Sequence, residues 1–243
     1  MKTTLSFWFV LLTAYGASST AEPIKGVTEV TSYTYLRNDR VAGPATAVVQ
    51  ATLQRAGLND YSLALYPWAR AYDMAQQEPN VLIFLIARTP AREPLFKWIG
   101  ELDRIDYHFY KRRENTAVQV HDLEDAKRYS VGVLRDDVRH EYLKAKGFAK
   151  LVVSAQNADN FRNLLNQQVD LVPMPERDAL LLCAEARVDC AQLEKVYTLD
   201  ALATGLYMAY SPSTDDETVA RTRAAFDKLM AEGEVKRLMD NAR

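Results

Sequence analysis

Val81-Leu82-Ile83-Phe84-Leu85-Ile86-Ala87 is a continuous apolar run, and Arg88-Thr89-Pro90-Ala91-Arg92-Glu93 follows it directly. Such a run, without polar alternation, is typical of a strand that is buried on both faces of a parallel sheet. Before it, the residues from Tyr61 to Tyr66 alternate as a strand, and Pro67 opens a predicted helix. This strand–helix–strand order predicts an α/β fold with a parallel sheet.

The same alternation extends in both directions from this stretch. Residues 27–35 predict a strand, and a predicted helix runs from Gly43-Pro44 to Gly57. We interpret residues 95–100 and 107–110 as connecting structure. A second series follows, with strands predicted at 129–134, 151–154, 169–174, 196–199 and 206–210, and helices predicted at 137–146, 157–167, 176–186 and in the tail. Two such units predict two α/β lobes with a ligand cleft at the carboxyl ends of their strands.

The composition excludes several classes of function. Lys and Arg number 30 and Asp and Glu number 32, so the formal charge is −2, and the chain lacks the basic field of a nucleic-acid-binding protein. Only two cysteines and three histidines are present, which leaves little scope for a metal centre. Glycine-rich phosphate loops and nucleophile-elbow motifs are missing from the 243 residues, so no organic cofactor is expected.

The amino-terminal segment resembles an export signal. Lys2 precedes an apolar stretch from Leu5 to Ala14 that is too short to span a bilayer, and Ser19-Thr20-Ala21 offers small residues for cleavage. Residues 1–21 are therefore predicted to be a signal peptide, cleaved near Ala21, and the protein is expected to be periplasmic. The alternative is a membrane anchor that is never cut.

Two pairs of residues admit more than one interpretation. Cys183 and Cys190 lie seven residues apart, and in an exported chain they favour a structural disulfide over a redox pair or two isolated core thiols. Asp136-Asp137 is either a pair of carboxylates for acid–base chemistry or, more often, the cap of the helix that follows.

One cluster of side chains has the chemistry of a ligand site. Trp68 and Arg70 begin a helix directly after one predicted strand, and Arg92 closely follows the next. An aromatic ring and guanidinium groups at the same sheet edge can stack on a small ligand and bind its carboxylate. The alternative is that Trp68 packs in the core and the arginines are solvated.

These residues belong to a longer series of motifs. Over essentially all of the mature chain, the sequence resembles the bacterial extracellular solute-binding proteins of family 3, the amino-acid-binding-like components of ABC importers. The resemblance rests on Tyr33-Thr34-Tyr35, Tyr66-Pro67-Trp68-Ala69-Arg70-Ala71, Arg88-Thr89-Pro90-Ala91-Arg92-Glu93, Val131-Gly132-Val133-Leu134-Arg135-Asp136-Asp137, Val169-Asp170-Leu171-Val172-Pro173 and Ala231-Glu232-Gly233-Glu234-Val235.

The resemblance implies a type II periplasmic-binding-protein fold with two crossing hinge strands. Lobe 1 would comprise residues 22–106 and 203–243, and lobe 2 would comprise residues 107–202. The implied protein is a monomer without catalytic turnover, which captures a small polar or anionic solute, amino-acid-like or an organic acid, for an ABC permease. The resemblance assigns ligand contacts to Tyr33, to Arg92 of the motif that begins at Thr89, and to Arg135 and Asp137, with the Arg92 guanidinium on the ligand carboxylate. Together with Trp68 and Arg70, which follow from their place at the strand ends, these residues form the predicted ligand site.

Departures from the family pattern leave alternatives open. Amino-acid binders place an aspartate where this chain has Pro175, and Glu176 is the nearest acid. A ligand-sensing module for a membrane receptor is one alternative. A dehydratase-like enzyme of the same fold is another, and its acid–base residues would be Asp137 and Glu176.

Overall fold

A computed structural model describes residues 22–240, so the predicted signal peptide lies outside the described residues. Its strands are β1 (Ile24–Thr28), β2 (Tyr35–Arg37), β3 (Arg40–Ala42), β4 (Tyr61–Leu65), β5 (Val81–Ala87), β6 (Lys97–Ile105), β7 (His108–Arg112), β8 (Val131–Leu134), β9 (Leu151–Ser154), β10 (Val172–Met174), β11 (Leu193–Thr198) and β12 (Thr204–Tyr210). Its helices are α1 (Pro44–Arg55), α2 (Trp68–Gln77), α3 (Leu123–Ala126), α4 (Val138–Ala145), α5 (Asn157–Leu165), α6 (Glu176–Ala186), α7 (Asp216–Ala231) and α8 (Glu234–Asp240).

The first sheet has the strand order β4-β1-β5-β12-β6 and forms the centre of lobe 1. β1 pairs in parallel with β4 and β5, whereas β12 runs antiparallel to β5 and β6. All seven residues of β5 are buried. Leu82 and Phe84 belong to the core cluster of α1, α7 and α8, while Val81 and Ile83 pack with α2. The apolar run is thus covered on both faces, in a mixed sheet.

The second sheet forms the centre of lobe 2, and its strands are arranged in the same way as those of the first sheet. β10, β7 and β11 are neighbours, and β8 pairs with β9. A bridge between Val131 and Leu171 joins the two parts, and the Gly132 N–H donates to the Leu171 carbonyl at 2.9 Å. The combined order is therefore β9-β8-β10-β7-β11, and α4 and α5 pack against β8.

The expectation of connecting structure at 95–100 and 107–110 is wrong. Most of these residues lie in β6 and β7, which continue from one lobe to the other through residues 106–107. The register of β6 with β12 shifts twice, and such bulges disrupt the alternation by which a sequence signals a strand. The chain crosses again at residues 199–203, where the Leu199 N–H donates to the Tyr107 carbonyl at 2.8 Å. The predicted two-lobe fold with two crossing segments is confirmed.

A disulfide joins the end of α6 to the segment that leads into β11. The Cα atoms of Cys183 and Cys190 lie 5.5 Å apart. Between them, Arg187 ends α6 with a left-handed backbone conformation. Between residues 22 and 240, no helix combines the length and the apolar character needed to cross a membrane.

Candidate functional site

A cavity lies between the two lobes at the carboxyl ends of their strands. We call it the inner cavity. It has a volume of about 40 Å³, which holds about three water molecules. Its lining residues are Glu29, Thr31, Tyr33, Trp68, Leu85, Ala87, Arg92, Ile105, Tyr107, Asp137, Arg139, Asn157, Pro175, Asp178 and Leu206.

Arg92 is the most deeply buried charge in this cavity. Its side chain is 2% exposed, and its Nη2 atom lies 3.0 Å from the Asp136 carbonyl and 3.3 Å from Glu141 Oε2. The guanidinium carbon lies 4.9 Å from the centre of the Tyr72 ring, a cation–π contact. The buried Nε–H has no hydrogen-bond partner in the structure, and an unpaired buried donor is costly. Arg92 therefore holds the lobes together while it retains a donor for a further acceptor.

Thr89 supports Arg92 without lining the cavity. Both its carbonyl and its Oγ1 accept a hydrogen bond from the Arg92 N–H, at 3.0 and 3.3 Å. These contacts close the turn after β5, so the backbone beneath the guanidinium is fixed.

Trp68 lies both in the core and on the wall of the inner cavity. It is buried with Val27 and Ile83 in the core beneath α2, and it also lines the inner cavity. Its indole Nε1 donates to the Asp136 carbonyl at 2.9 Å, so this one carbonyl of lobe 2 accepts from two side chains of lobe 1. Asp136 adopts a left-handed backbone with φ of 57°, a conformation that aspartate tolerates better than most residues.

Tyr33 also lines the inner cavity and is 4% exposed. Burial, with Asp103 nearby, raises the pKa of its phenol to about 12. Arg177 of lobe 2 lies 4.8 Å from the centre of the ring. Gly43 has φ of 118°, and a Cβ atom there would stand 2.3 Å from the Tyr33 carbonyl oxygen. Only glycine therefore allows α1 to begin so close to Tyr33.

Asp137 and Arg139 form a buried ion pair at the start of α4. Asp137 caps the helix by accepting from the Arg139 N–H at 2.9 Å, and it also accepts from the Arg139 Nε–H. Burial alone would raise the pKa of Asp137, but the charge and hydrogen bonds of Arg139 outweigh it and hold this pKa below its usual range. Arg139 also donates to the Pro173 carbonyl at 3.0 Å and to Asn157 Oδ1 at 3.2 Å. The capping interpretation of Asp137 thus applies, with an ion pair added.

Leu85 forms the floor of the cavity through an irregularity in β5. Its φ is 63°, which is strained for a leucine, and the register of β5 with β12 passes from Ile86 to Phe84 and omits it. The buried Thr28 hydroxyl donates to the Phe84 carbonyl at 2.8 Å. The bulge therefore places an apolar side chain beneath the polar groups of the cleft.

The chain is similar to known proteins in its structure rather than in its sequence. No family model and no curated protein matches the chain. A histidine kinase sensor domain with similarity to periplasmic binding proteins superposes with a TM-score of 0.78, at 19% identity, over 90% of this chain and 95% of that chain. An ancestral arginine-binding protein bound to arginine gives a TM-score of 0.77, at 14% identity, over 90% and 97%.

The chain has a periplasmic-binding-protein fold. The arginine-, lysine-, histidine-binding protein ArtJ from Geobacillus stearothermophilus is similar in the same way, with a TM-score of 0.75 at 16% identity over 90% of this chain and 94% of that chain. In the fold of a periplasmic binding protein, ligands bind in the crevice between the lobes, where the inner cavity lies.

Besides Thr89, three residues expected from the sequence do not line the inner cavity of this periplasmic-binding-protein fold. Arg70 is exposed and stacks on the Tyr66 ring at 4.6 Å, because two residues of helix rotate it by about 200° from Trp68. Arg135 is exposed in the turn after β8. Glu176 is exposed and lies 3.3 Å from Lys195 Nζ. In the described part of the chain, no three metal-ligating side chains are grouped to hold an ion.

Two carboxylates of the cleft are absent from the sequence-based site. Glu29 directly follows β1 and accepts from Asn157 Nδ2 of lobe 2 at 3.0 Å, and Asp178 of α6 accepts from the Ser32 N–H of lobe 1 at 3.0 Å. Burial, and then the negative charge of Asp137, raise the pKa of Glu29 to about 8. Both carboxylates closely follow the carboxyl end of a strand. The sequence analysis selected Arg92 because it follows a strand in the same way. It missed Glu29 because the predicted strand ran on to Tyr35.

Proposed function

We propose that the protein is a periplasmic solute-binding protein that reversibly captures a small polar solute in the cleft. One observation carries the proposal: the two lobes meet around Arg92, whose buried Nε–H lacks a partner, beside the carboxylates Glu29 and Asp178. A guanidinium on a fixed backbone is suited to a carboxylate, and a carboxylate is suited to an ammonium group. This combination favours an amino-acid-like solute, with an organic acid as the alternative.

The capture involves rotation of one lobe against the other. The proposed lobes are residues 22–106 with 203–243, and residues 107–202, joined near Tyr107 and Ala203. Hydrogen bonds from Trp68, Arg92 and Asn157 span the cleft, so the structure represents a closed arrangement. A ligand reaches the inner cavity only when these bonds open.

We propose that the protein is a monomer and that its closed, ligand-bound form binds an ABC permease. A ligand-sensing module for a membrane receptor is the second candidate, and the similarity to a histidine kinase sensor domain favours it. A stable complex with a permease of the same membrane, formed only with ligand present, would support transport.

Catalytic turnover is not part of the proposal. Asp137 is occupied by Arg139, and Glu176 lies outside the inner cavity beside Lys195. These two carboxylates therefore lack the facing arrangement that acid–base catalysis on one bound ligand requires.

A thermal-shift screen of the purified protein against amino acids, polyamines and small organic acids tests the function. A ligand at about 100 times its Kd adds about 2.7 kcal/mol of stability, which is a clear rise in Tm. Small-angle scattering then compares the protein with and without that ligand, and closure should lower the radius of gyration. A panel in which no solute raises Tm would contradict the proposal, and product formation from a bound acid would replace it with an enzyme.

A further inference from the structure

A second and larger cavity adjoins the inner cavity at the mouth of the cleft. We call it the outer pocket. Its volume is about 380 Å³, within the usual range for small-molecule sites of roughly 300–1,000 Å³. Glu29, Thr31, Asn157 and Asp178 line both cavities, so the two spaces meet at the same polar groups. A ligand with a small polar head and a larger body can occupy both at once.

The walls of the outer pocket beyond these shared groups are largely apolar. Leu36 and Leu65 come from lobe 1, and Leu181 and Leu182 come from α6 of lobe 2. Leu36 is 61% exposed and its neighbour Val30 is 48% exposed, although both are large apolar side chains. Apolar surface that faces a concave pocket is favourably covered by an apolar ligand body. The shape and chemistry of the pocket therefore select against a body that is polar throughout.

The charged residues of the outer pocket carry a single sign. Its ionisable acids are Glu29, Asp178 and Glu185, and among residues 22–240 no lysine, arginine or histidine lines it. Burial, and then the negative charge of Asp137, raise the pKa of Glu29 to about 8, so in the absence of a cation this carboxyl keeps its proton at neutral pH. A bound cation favours the ionised form of Glu29, whereas a ligand carboxylate in the outer pocket would lie near Asp178 and Glu185 with no positive side chain lining the pocket to pair with it.

We infer that the ligand of the proposed binding function carries an ammonium group between Glu29 and Asp178 and an apolar body in the outer pocket. This inference rests on the proposed function and narrows its solute class. Two kinds of molecule share the required chemistry: amino acids with apolar side chains, and the corresponding amines without a carboxylate. The carboxylate of the former reaches Arg92 in the inner cavity.

Calorimetry with three solutes that share one apolar group distinguishes an amino-acid ligand from an amine. The probes are L-phenylalanine, phenethylamine and 3-phenylpropanoate, which keep the same aryl body and differ in the ammonium and carboxylate groups. L-Phenylalanine and phenethylamine are expected to bind, and 3-phenylpropanoate is expected to bind at least about tenfold more weakly than either. Tighter binding of L-phenylalanine than of phenethylamine identifies the amino acid as the source, and the reverse identifies the amine.

A pair of neighbouring leucines in α6 supplies the variant and its control. Leu181 lines the outer pocket, whereas Leu180 is 56% exposed and does not. Leu181→Lys places a cation in the pocket, so both ammonium ligands should weaken at least about tenfold. Leu180→Lys adds the same charge to the same helix and should leave both affinities within twofold.

The outcomes distinguish the inference from the function on which it rests. If polar amino acids such as L-glutamine bind as tightly as L-phenylalanine and Leu181→Lys binds them normally, the inference is wrong and the binding function stands. Equal binding of 3-phenylpropanoate and phenethylamine also overturns the inference. If phenethylamine binds while no amino acid or organic acid does, the amine class stands and the proposed amino-acid-like solute is wrong.

Discussion

The two lobes have the same strand order but different means of stabilising their halves of the cleft. Lobe 1 orders its sheet as β4-β1-β5-β12-β6, and lobe 2 orders its own as β9-β8-β10-β7-β11. The three strands that approach the cleft have five, five and seven residues in lobe 1, but four, four and three in lobe 2. Lobe 2 therefore has a smaller apolar sheet beneath its part of the site.

The contribution of each lobe to the cleft follows this difference. Lobe 1 presents the ring of Trp68 beside Arg92, and the ring of Tyr33, and these three side chains are buried. Lobe 2 presents the Asp137–Arg139 ion pair, and its α6 is linked by the Cys183–Cys190 disulfide to the segment that leads into β11. The same topology is thus supported mainly by apolar packing in one lobe, and by a charge pair and a covalent link in the other.

Arg139→Ala should have the largest effect on stability. It removes the guanidinium that contacts Asp137, Pro173 and Asn157, and it leaves the Asp137 carboxylate buried without its partner. Breaking a buried ion pair in this way costs about 3–5 kcal/mol. Urea unfolding measures the free energy, with Arg135→Ala as the matched control because Arg135 is exposed nearby and should change it by less than about 0.5 kcal/mol. A loss below about 1 kcal/mol for Arg139→Ala would show that lobe 2 does not depend on the pair.

Arg92→Ala should weaken binding of an amino-acid-like ligand by at least roughly 30-fold. Removing one partner of a buried charged contact costs about 2–5 kcal/mol, and each tenfold change in Kd is about 1.4 kcal/mol. Arg92→Lys should recover only part of this loss, since an ammonium cannot make a bidentate contact. Calorimetry of folded variants provides the measurement, with the exposed Arg70→Ala as control. Binding within twofold of wild type by Arg92→Ala would mean that the anchor of the ligand lies elsewhere in the cleft.

Replacing Cys183 and Cys190 together by serine should destabilise lobe 2 by about 2–3 kcal/mol. The bond closes a loop of seven residues, and the loop-entropy relation gives this magnitude for so short a loop. Hydrogen exchange should show faster opening of α6 and β11, with little change in β1 and β5. Equal acceleration in both lobes would mean that they unfold as one unit.

Glu29→Gln should remove the part of the pH dependence of stability that arises from the Glu29 carboxyl of lobe 1. The raised pKa means that the native carboxyl keeps its proton to about pH 8, while the unfolded chain releases it near 4.5. Native stability from this group is therefore present at low pH and is lost as pH rises through this window. At pH 8 the variant should exceed wild type by about 1–2 kcal/mol, a figure discounted for partial exposure. Melting curves at pH 4 serve as the internal control, because below the unfolded pKa of 4.5 the carboxyl is largely protonated in both states and the two proteins should agree.

The sequence predicts the sheets of this protein better than its site. β5, β9 and α6 match their predicted bounds because an unbroken apolar run, or a helix between strands, follows directly from side-chain pattern. The sequence pattern misses β6 because bulges and half-buried positions disrupt its alternation, and it misses β7 because three consecutive buried residues do not alternate. The pattern of one strand does not show which other strand it pairs with, so the resemblance, and not the residues alone, gave the two crossings.

In the site, the sequence rule finds the positions that follow strands but not the direction of each side chain. Tyr33, Trp68, Arg92 and Asp137 line the inner cavity, whereas Arg70 and Arg135, each two residues from one of these positions, face solvent. Contacts between the lobes, such as Asn157 with Glu29, join residues 128 positions apart. A pattern within one segment contains no information about such a pair.

The place of β12 in the first sheet sets an order of assembly during synthesis. β12 lies between β5 and β6, so these two strands have no direct contact until residues 204–210 exist. Every strand of the second sheet, by contrast, lies between residues 108 and 198. As the chain grows from its amino terminus, the second sheet can be complete while the first still has a gap at its centre. The lobe that begins first is thus the lobe that finishes last, and its strand edges stay unpaired, and open to pairing with other chains, for longer.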